Sequence, residues 1–153
     1  MVDLGYNYRM TDFQCALGIS QLRKLQKFLD RRREIAARYD EAFANLSGIN
    51  PLAVRPDVRH AYHLYVIRID SNILGTDRAT LFTKLRKKGI GVNVHYIPVH
   101  LQPFYREKFH TSPGLCPIAE TAYEQIISIP MFPGMTDEDV KKVIVEVKNN
   151  VCG

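Results

Sequence analysis

No stretch of this 153-residue sequence approaches the roughly 18 consecutive apolar residues of a membrane-spanning helix, so no membrane span is expected. The opening Met1-Val-Asp-Leu-Gly-Tyr6 has neither a basic nor an apolar leader region, and no secretory signal is read there. Cysteine is scarce: Cys15, Cys116 and Cys152 are an odd, scattered set. That suits a reducing cytoplasm better than a disulfide framework, and a cytoplasmic location is the expectation. Self-sufficient catalytic motifs are missing as well. There is no phosphate-binding P-loop, no dinucleotide glycine fingerprint, no Gly-x-Ser-x-Gly elbow and no His-Glu-x-x-His. His95 and His100 stand five apart across a proline, which is poor metal-ligand spacing, so no metal site is expected.

What is present is ordinary for a globular domain: 46% apolar and 24% charged residues, with no internal repeat and no low-complexity tract. The length allows one domain with a real core and excludes two large ones. The formal charge of +5 concentrates in residues 23–38 and 78–88, both with helical periodicity. Acidic Asp30, Glu34, Asp40 and Glu41 interrupt the first stretch, and neither carries a series of stacking aromatics. The pattern reads as solvated helix faces, with no nucleic-acid partner.

Thr11-Asp-Phe-Gln14 fits a capping box, in which the Thr11 hydroxyl accepts from the Gln14 amide and the Gln14 side chain reaches back. Beyond it, apolar residues recur every three or four positions from Phe13 to Leu46. They predict one amphipathic helix of about nine turns, roughly 50 Å long, stopped by Ser47-Gly48 and Pro51. Gly18 offers it room for a bend or a close contact, and Cys15 reads as a small core residue. A helix of that length is expected to link two domains or pack on a second subunit. Residues 60–70 and 90–96 read as strands, 77–88 as a helix capped by Thr76 or Asp77 and stopped at Gly89, and 97–109 as irregular. Residues 117–125 predict a helix with proline in its first turn, 126–130 a short strand, and Thr136 opens a last helix. The fold class expected is α/β: a long N-terminal helix, then a small, mainly antiparallel sheet covered by helices. Residues 1–50 form the leading loop and linking helix, and residues 51–153 the small α/β domain.

Two clusters could carry chemistry. In Gly5-Tyr-Asn-Tyr-Arg9 an amide and a guanidinium stand just before a capped helix, where the positive helix end favours an anion such as phosphate. A polar tail is the plainer reading of the same residues. In His95-Tyr-Ile-Pro-Val-His100, followed by Gln102-Pro-Phe-Tyr105, two imidazoles and two phenols could hydrogen-bond a polyhydroxylated ligand or simply pack a loop. His60 and His63 read as structural.

Taken in order, the pieces resemble the DegT/DnrJ/EryC1/StrS aminotransferases, which act on nucleotide-linked keto-sugars. The residues that carry the resemblance are Gly5-Tyr-Asn-Tyr-Arg-Met-Thr-Asp12, Ala16-Leu-Gly18 with Gln21-Leu22, and Arg31-Arg-Arg-Glu-Ile-Ala36 with Tyr39. Tyr62-His-Leu-Tyr65, Gly89-Ile90, His95-Tyr-Ile-Pro-Val-His100, Ile129-Pro130 and Phe132-Pro-Gly-Met-Thr136 follow, so nearly the whole chain is covered. The detail is most similar to the branch that makes 4-amino-4,6-dideoxy sugars from UDP-linked 4-ketosugars. The resemblance implies the small C-terminal domain of a fold-type-I enzyme that uses pyridoxal phosphate (PLP), usually a dimer with composite active sites. It implies that Asn7 and Arg9 lie at the active site, with Asn7 reaching the cofactor phosphate of the neighbouring subunit. It further implies that His95, Tyr96 and His100, and more weakly Tyr105, border the sugar-nucleotide pocket.

The departure from the family is large. PLP chemistry needs a lysine to carry the cofactor and an acid to keep its ring nitrogen protonated. In the family both precede the Gly-x-Asn-x-Arg stretch, and here four residues precede Gly5. Lys24, Lys27, Lys84, Lys87 and Lys88 lie on helices with ordinary solvent-facing patterns. The expectation is a C-terminal enzyme part with no catalytic residue of its own, which does not bind PLP stably or transaminate alone. Its partners would be a second copy in a dimer or a large domain, with a nucleotide-sugar as substrate of the full enzyme. A non-catalytic binding or oligomerisation module derived from that enzyme is the alternative.

Overall fold

The computed structural model describes residues 3–151, so Cys152 lies outside the described residues. Among the described residues the chain is α/β, with seven α-helices and three strands.

The capping box forms as expected. The Thr11 amide donates to Gln14 Oε1 at 2.9 Å, and the Gln14 amide donates to Thr11 Oγ1 at 3.3 Å, opening α1 (Asp12–Leu22). The single long helix does not form. At Lys24 the amide bonds back three residues to Gln21 at 3.0 Å, which tightens the chain for one turn before α2 (Leu25–Phe43) begins. Apolar residues at 22 and 25 keep the three-residue spacing across the break, so periodicity alone does not reveal it. No residue of α1 is buried, Cys15 is exposed rather than in the core, and Gly18 faces open space. In α2, Ile35, Ala36, Tyr39 and Phe43 form one buried stripe.

After α2 the chain turns at Gly48, whose φ of +80° and whose neighbour Leu74 Cδ2, 2.5 Å from where a Cβ would sit, admit glycine only. β1 (Ile49–Pro51), β2 (Tyr65–Ile69) and β3 (Ile126–Ile129) form an antiparallel sheet with β2 in the centre. β1 falls where a loop was expected; an edge strand tolerates Pro51 because its missing N–H costs no ladder bond. The expected strand over 60–70 is shorter, beginning only at Tyr65, and the expected strand over 90–96 makes one bridge, Asn93 to Ser128. Residues 97–109, expected to be irregular, contain a 3-10 turn (Val99–Leu101) and a helix with proline in its first turn.

One sheet face carries Ile49, Tyr65, Ile67, Ile69, Ile127 and Ile129, which join the buried stripe of α2 in the core. A short α3 (Ser71–Leu74) precedes α4 (Arg78–Lys87), which adds Leu81 and Leu85. Asp77 caps α4, and Gly89 follows its end at a φ of +76°. α5 (Pro103–Phe109) and α6 (Pro117–Gln125) bury no residue fully; α6 lies beside Arg68, which points away from the core face of β2. α7 (Asp137–Val151) closes the core with Val140, Val143 and Val147.

The arginine-rich stretch of α2 is spent within the fold. Arg31 pairs with Glu34 at 2.7 Å and with Asp137 at 2.8 Å, and Arg38 pairs with Asp137 at 2.7 Å. Arg32 donates to the carbonyls of Tyr62, His63 and Met131.

Candidate functional site

The first cluster leads into α1 and stands exposed. Tyr6 and Tyr8 are 81% and 86% accessible, with their rings 6.0 Å apart. Asn7 Oδ1 accepts from the Arg9 amide at 3.0 Å, a local turn that leaves the Asn7 amide group and the Arg9 guanidinium as outward donors. Those donors suit one edge of a phosphate. They do not enclose one, and all nine lysines are exposed, including Lys142, which lines a cavity shared with His95, so none is held buried as a cofactor-bearing lysine. The described residues of one chain therefore do not fit PLP as a complete site.

The second cluster divides into three. His95 lies at a cavity of about 510 Å³ also lined by Asn93, Ser128, Met131, Phe132 and Lys142. Its Nδ1 is 2.8 Å from Ser128 Oγ and its Nε2 is 3.4 Å from Asn93 Nδ2. Tyr96 follows through a cis peptide bond, is largely exposed, and sets its ring edge-on to the imidazole at 4.6 Å. His100 is placed differently. Its side chain is 10% exposed, and Nε2 lies 2.8 Å from Glu120 Oε1 at the start of α6. The same carboxylate accepts from the amides of Gly114 and Cys116, and these bonds hold it below the ordinary glutamate range. Thr111 Oγ1 donates to the His100 carbonyl at 2.6 Å, so His100 fastens residues 111–116 to α6. Tyr105 lies on α5 in an aromatic group with Phe104 and Phe109. Of the four residues, His95 alone lines the large cavity, with Tyr96 next to it.

Sequence reasoning passed over Asn93, Ser128, Glu120 and Arg32. Ser128 carries a signal in hindsight, because it is the one polar residue in the run Ile126-Ile-Ser-Ile129. His60 and His63 precede the strand rather than lying on it; His60 Nδ1 accepts from the Tyr62 amide at 3.2 Å. Among the described residues, no helix is long and apolar enough to cross a membrane.

The profile of the DegT/DnrJ/EryC1/StrS aminotransferase family matches residues 1–148. The chain belongs to that family. Spore coat polysaccharide biosynthesis protein SpsC of Bacillus subtilis (strain 168) is 41% identical over 150 residues, 97% of this chain and 39% of that protein. Helicobacter pylori PseC, an aminotransferase involved in the biosynthesis of pseudoaminic acid, shares 30% identity at a TM-score of 0.86; the match covers 97% of this chain and 39% of PseC. Streptococcus pneumoniae Spr1654, in its PMP form, shares 33% identity at a TM-score of 0.88 over 98% of this chain and 37% of its own. The family is PLP-dependent, and Spr1654 is known in PLP and PMP forms. The chain spans 39% of the length of the curated relatives it matches.

Proposed function

We propose that this chain is the C-terminal part of a sugar aminotransferase of amino-sugar biosynthesis, which transfers an amino group, from glutamate, to a nucleotide-linked keto-sugar. In that reading Asn7 and Arg9 serve the cofactor phosphate of a neighbouring subunit. His95, with Tyr96 beside it, meets the sugar nucleotide, while His100 and Tyr105 shape the surrounding loop. The observation that carries the reading is the pair of incomplete sites in one fold: an exposed amide and guanidinium, and a cavity presenting an imidazole. Each has donors or acceptors suited to a phosphorylated, hydroxyl-rich ligand, and neither has a lysine held for PLP.

The chain alone is inactive in this reading. Incubation with PLP, borohydride reduction and mass spectrometry test it. No lysine should gain a cofactor mass, and a stoichiometric adduct on any one lysine would overturn the assignment.

One observation favours the second reading, an oligomerisation module. Phe13, Leu17, Ile19 and Leu22 of α1 are all exposed. An apolar helix of this kind gains by pairing with another surface.

A further inference from the structure

We infer that Ser128 is a positioning residue for His95: together with Asn93 it holds the neutral imidazole as the Nδ1–H tautomer, so that the Nε2 lone pair, met in the free chain only by the 3.4 Å contact from Asn93, can take a ligand's hydrogen-bond donor in its place at the adjoining cavity. The ligand half of this statement rests on the sugar-nucleotide reading above; the tautomer does not.

Ser128 is 5% exposed and is the one buried polar residue among those described. A hydroxyl removed from water needs a partner, since leaving it unpaired costs about 1–3 kcal/mol. Its backbone is fixed on both sides. It stands opposite Val66 of β2 and exchanges two bonds with Asn93, at 2.8 and 3.0 Å. The Oγ is thereby set 2.8 Å from His95 Nδ1. A hydroxyl can either donate or accept, so this contact alone does not place the ring proton.

Asn93 places it. Its Oδ1 already accepts from the Val94 amide at 2.8 Å, so the group facing His95 Nε2 at 3.4 Å is the NH2, which only donates. Nε2 must then accept. The neutral ring carries its proton on Nδ1 and donates it to Ser128 Oγ. This reverses the preference of a free histidine side chain, which favours Nε2–H. His60 provides the opposite case in the same molecule, because its Nδ1 accepts from the Tyr62 amide and its proton must sit on Nε2. At the cavity, His95 thus offers an acceptor to a ligand donor that displaces the long Asn93 contact. A sugar hydroxyl or a base N–H can fill it; a phosphate oxygen cannot while the ring is neutral.

Long-range proton–nitrogen NMR of the labelled chain, at about pH 8.5 where imidazole is neutral, reads the tautomer from the two ring-nitrogen shifts. The expected result is Nδ1–H for His95 and Nε2–H for His60 in one spectrum. Ser128→Ala should move His95 toward Nε2–H, and Ser128→Thr, which keeps the hydroxyl, should restore Nδ1–H. A wild-type His95 protonated on Nε2 overturns the inference without any variant. An unchanged tautomer in folded Ser128→Ala, as judged by its amide spectrum, overturns the role of Ser128. Titration with UDP-glucose tests the ligand half. A shifted Nε2 with Nδ1–H retained supports it; an unmoved Nε2 overturns the ligand assignment and the sugar-nucleotide reading, while leaving the tautomer result standing.

Discussion

Arg32 Nη1 lies 2.7 Å from the carbonyl oxygen of Tyr62, a residue whose φ of 47° is in the left-handed region that a bulky side chain rarely adopts. The same nitrogen reaches the carbonyls of His63 at 3.0 Å and Met131 at 3.1 Å. One guanidinium on α2 thereby ties the approach to β2 to the segment leaving β3. Holding Tyr62 in this conformation costs about 1–3 kcal/mol, and the charged hydrogen bonds offset it. Leu64 and Met131, on either side of this tie, line the His95 cavity.

Arg32→Ala is therefore expected to destabilise the chain by about 2–3 kcal/mol, the value of hydrogen bonds to a charged group. Arg32→Lys should recover only part of that, because its ammonium sits on a shorter stem and is more strongly hydrated. The urea midpoint at unchanged m-value measures both. Equal midpoints for wild type and Arg32→Ala would show that the tie carries no stability.

The acid limb of stability should depend on Glu120. Bonds from the Gly114 amide, from His100 and from the Cys116 amide lower its pKa in the folded chain. A depressed carboxylate contributes stability above its unfolded value, about 4.3, and that contribution is lost as pH falls through the folded value. Asp137, lowered by Arg31 and Arg38, acts in the same direction. The prediction is a decline of stability below about pH 4 that is shallower in Glu120→Gln. Identical pH profiles for the two proteins, followed by urea unfolding, would count against the His100–Glu120 fastening.

On the alkaline side, burial raises the phenols of Tyr39 and Tyr65, the latter also through its hydrogen bond to Asp40. Both groups are neutral at pH 7 in either state. As pH rises past about 10 the unfolded chain releases these protons and the folded chain does not, so stability falls with rising pH. Spectrophotometric titration should show Tyr39 and Tyr65 ionising together with unfolding. Tyr39→Phe, which removes the 2.9 Å bond to the Pro130 carbonyl, should cost about 1 kcal/mol in the urea midpoint.

Local chemistry made much of the fold legible. Thr11 with Gln14, Asp77 with Thr80, and Thr136 with Asp139 mark helix starts within four residues, and each forms the bonds its sequence implies. What stayed hidden depends on partners far along the chain. The strand expected from His60 is cut short at Tyr62, whose carbonyl is taken by Arg32, thirty residues earlier. The extended run at Asn93 finds one bridge only, because its neighbour Ser128 belongs to a strand of four residues. In the site, residue types pointed to His95 and His100 alike. Glu120, twenty residues on, gives the second histidine a fastening contact, and Ser128, thirty-three residues on, orients the first.

Self-association through α1 is the remaining expectation. Phe13 is 80% exposed, and Leu17, one turn on, extends the same apolar face, while Ile19 and Leu22 lie on the opposite side of a helix that buries no residue against the rest of the chain. Removing such side chains from water yields about 25 cal/mol for each Å² of apolar area, so pairing two α1 helices is favourable once registry is found. Phe13→Asp with Leu17→Asp places charge on that surface, and an ion taken into an apolar interface without a partner is costly. Wild-type chain at tens of micromolar should sediment as a dimer and the double variant as a monomer, with the same midpoint for unfolding of the α2–sheet core. A wild-type chain that sediments as a monomer at that concentration removes the oligomerisation reading, and leaves the exposed face of α1 to the rest of the enzyme.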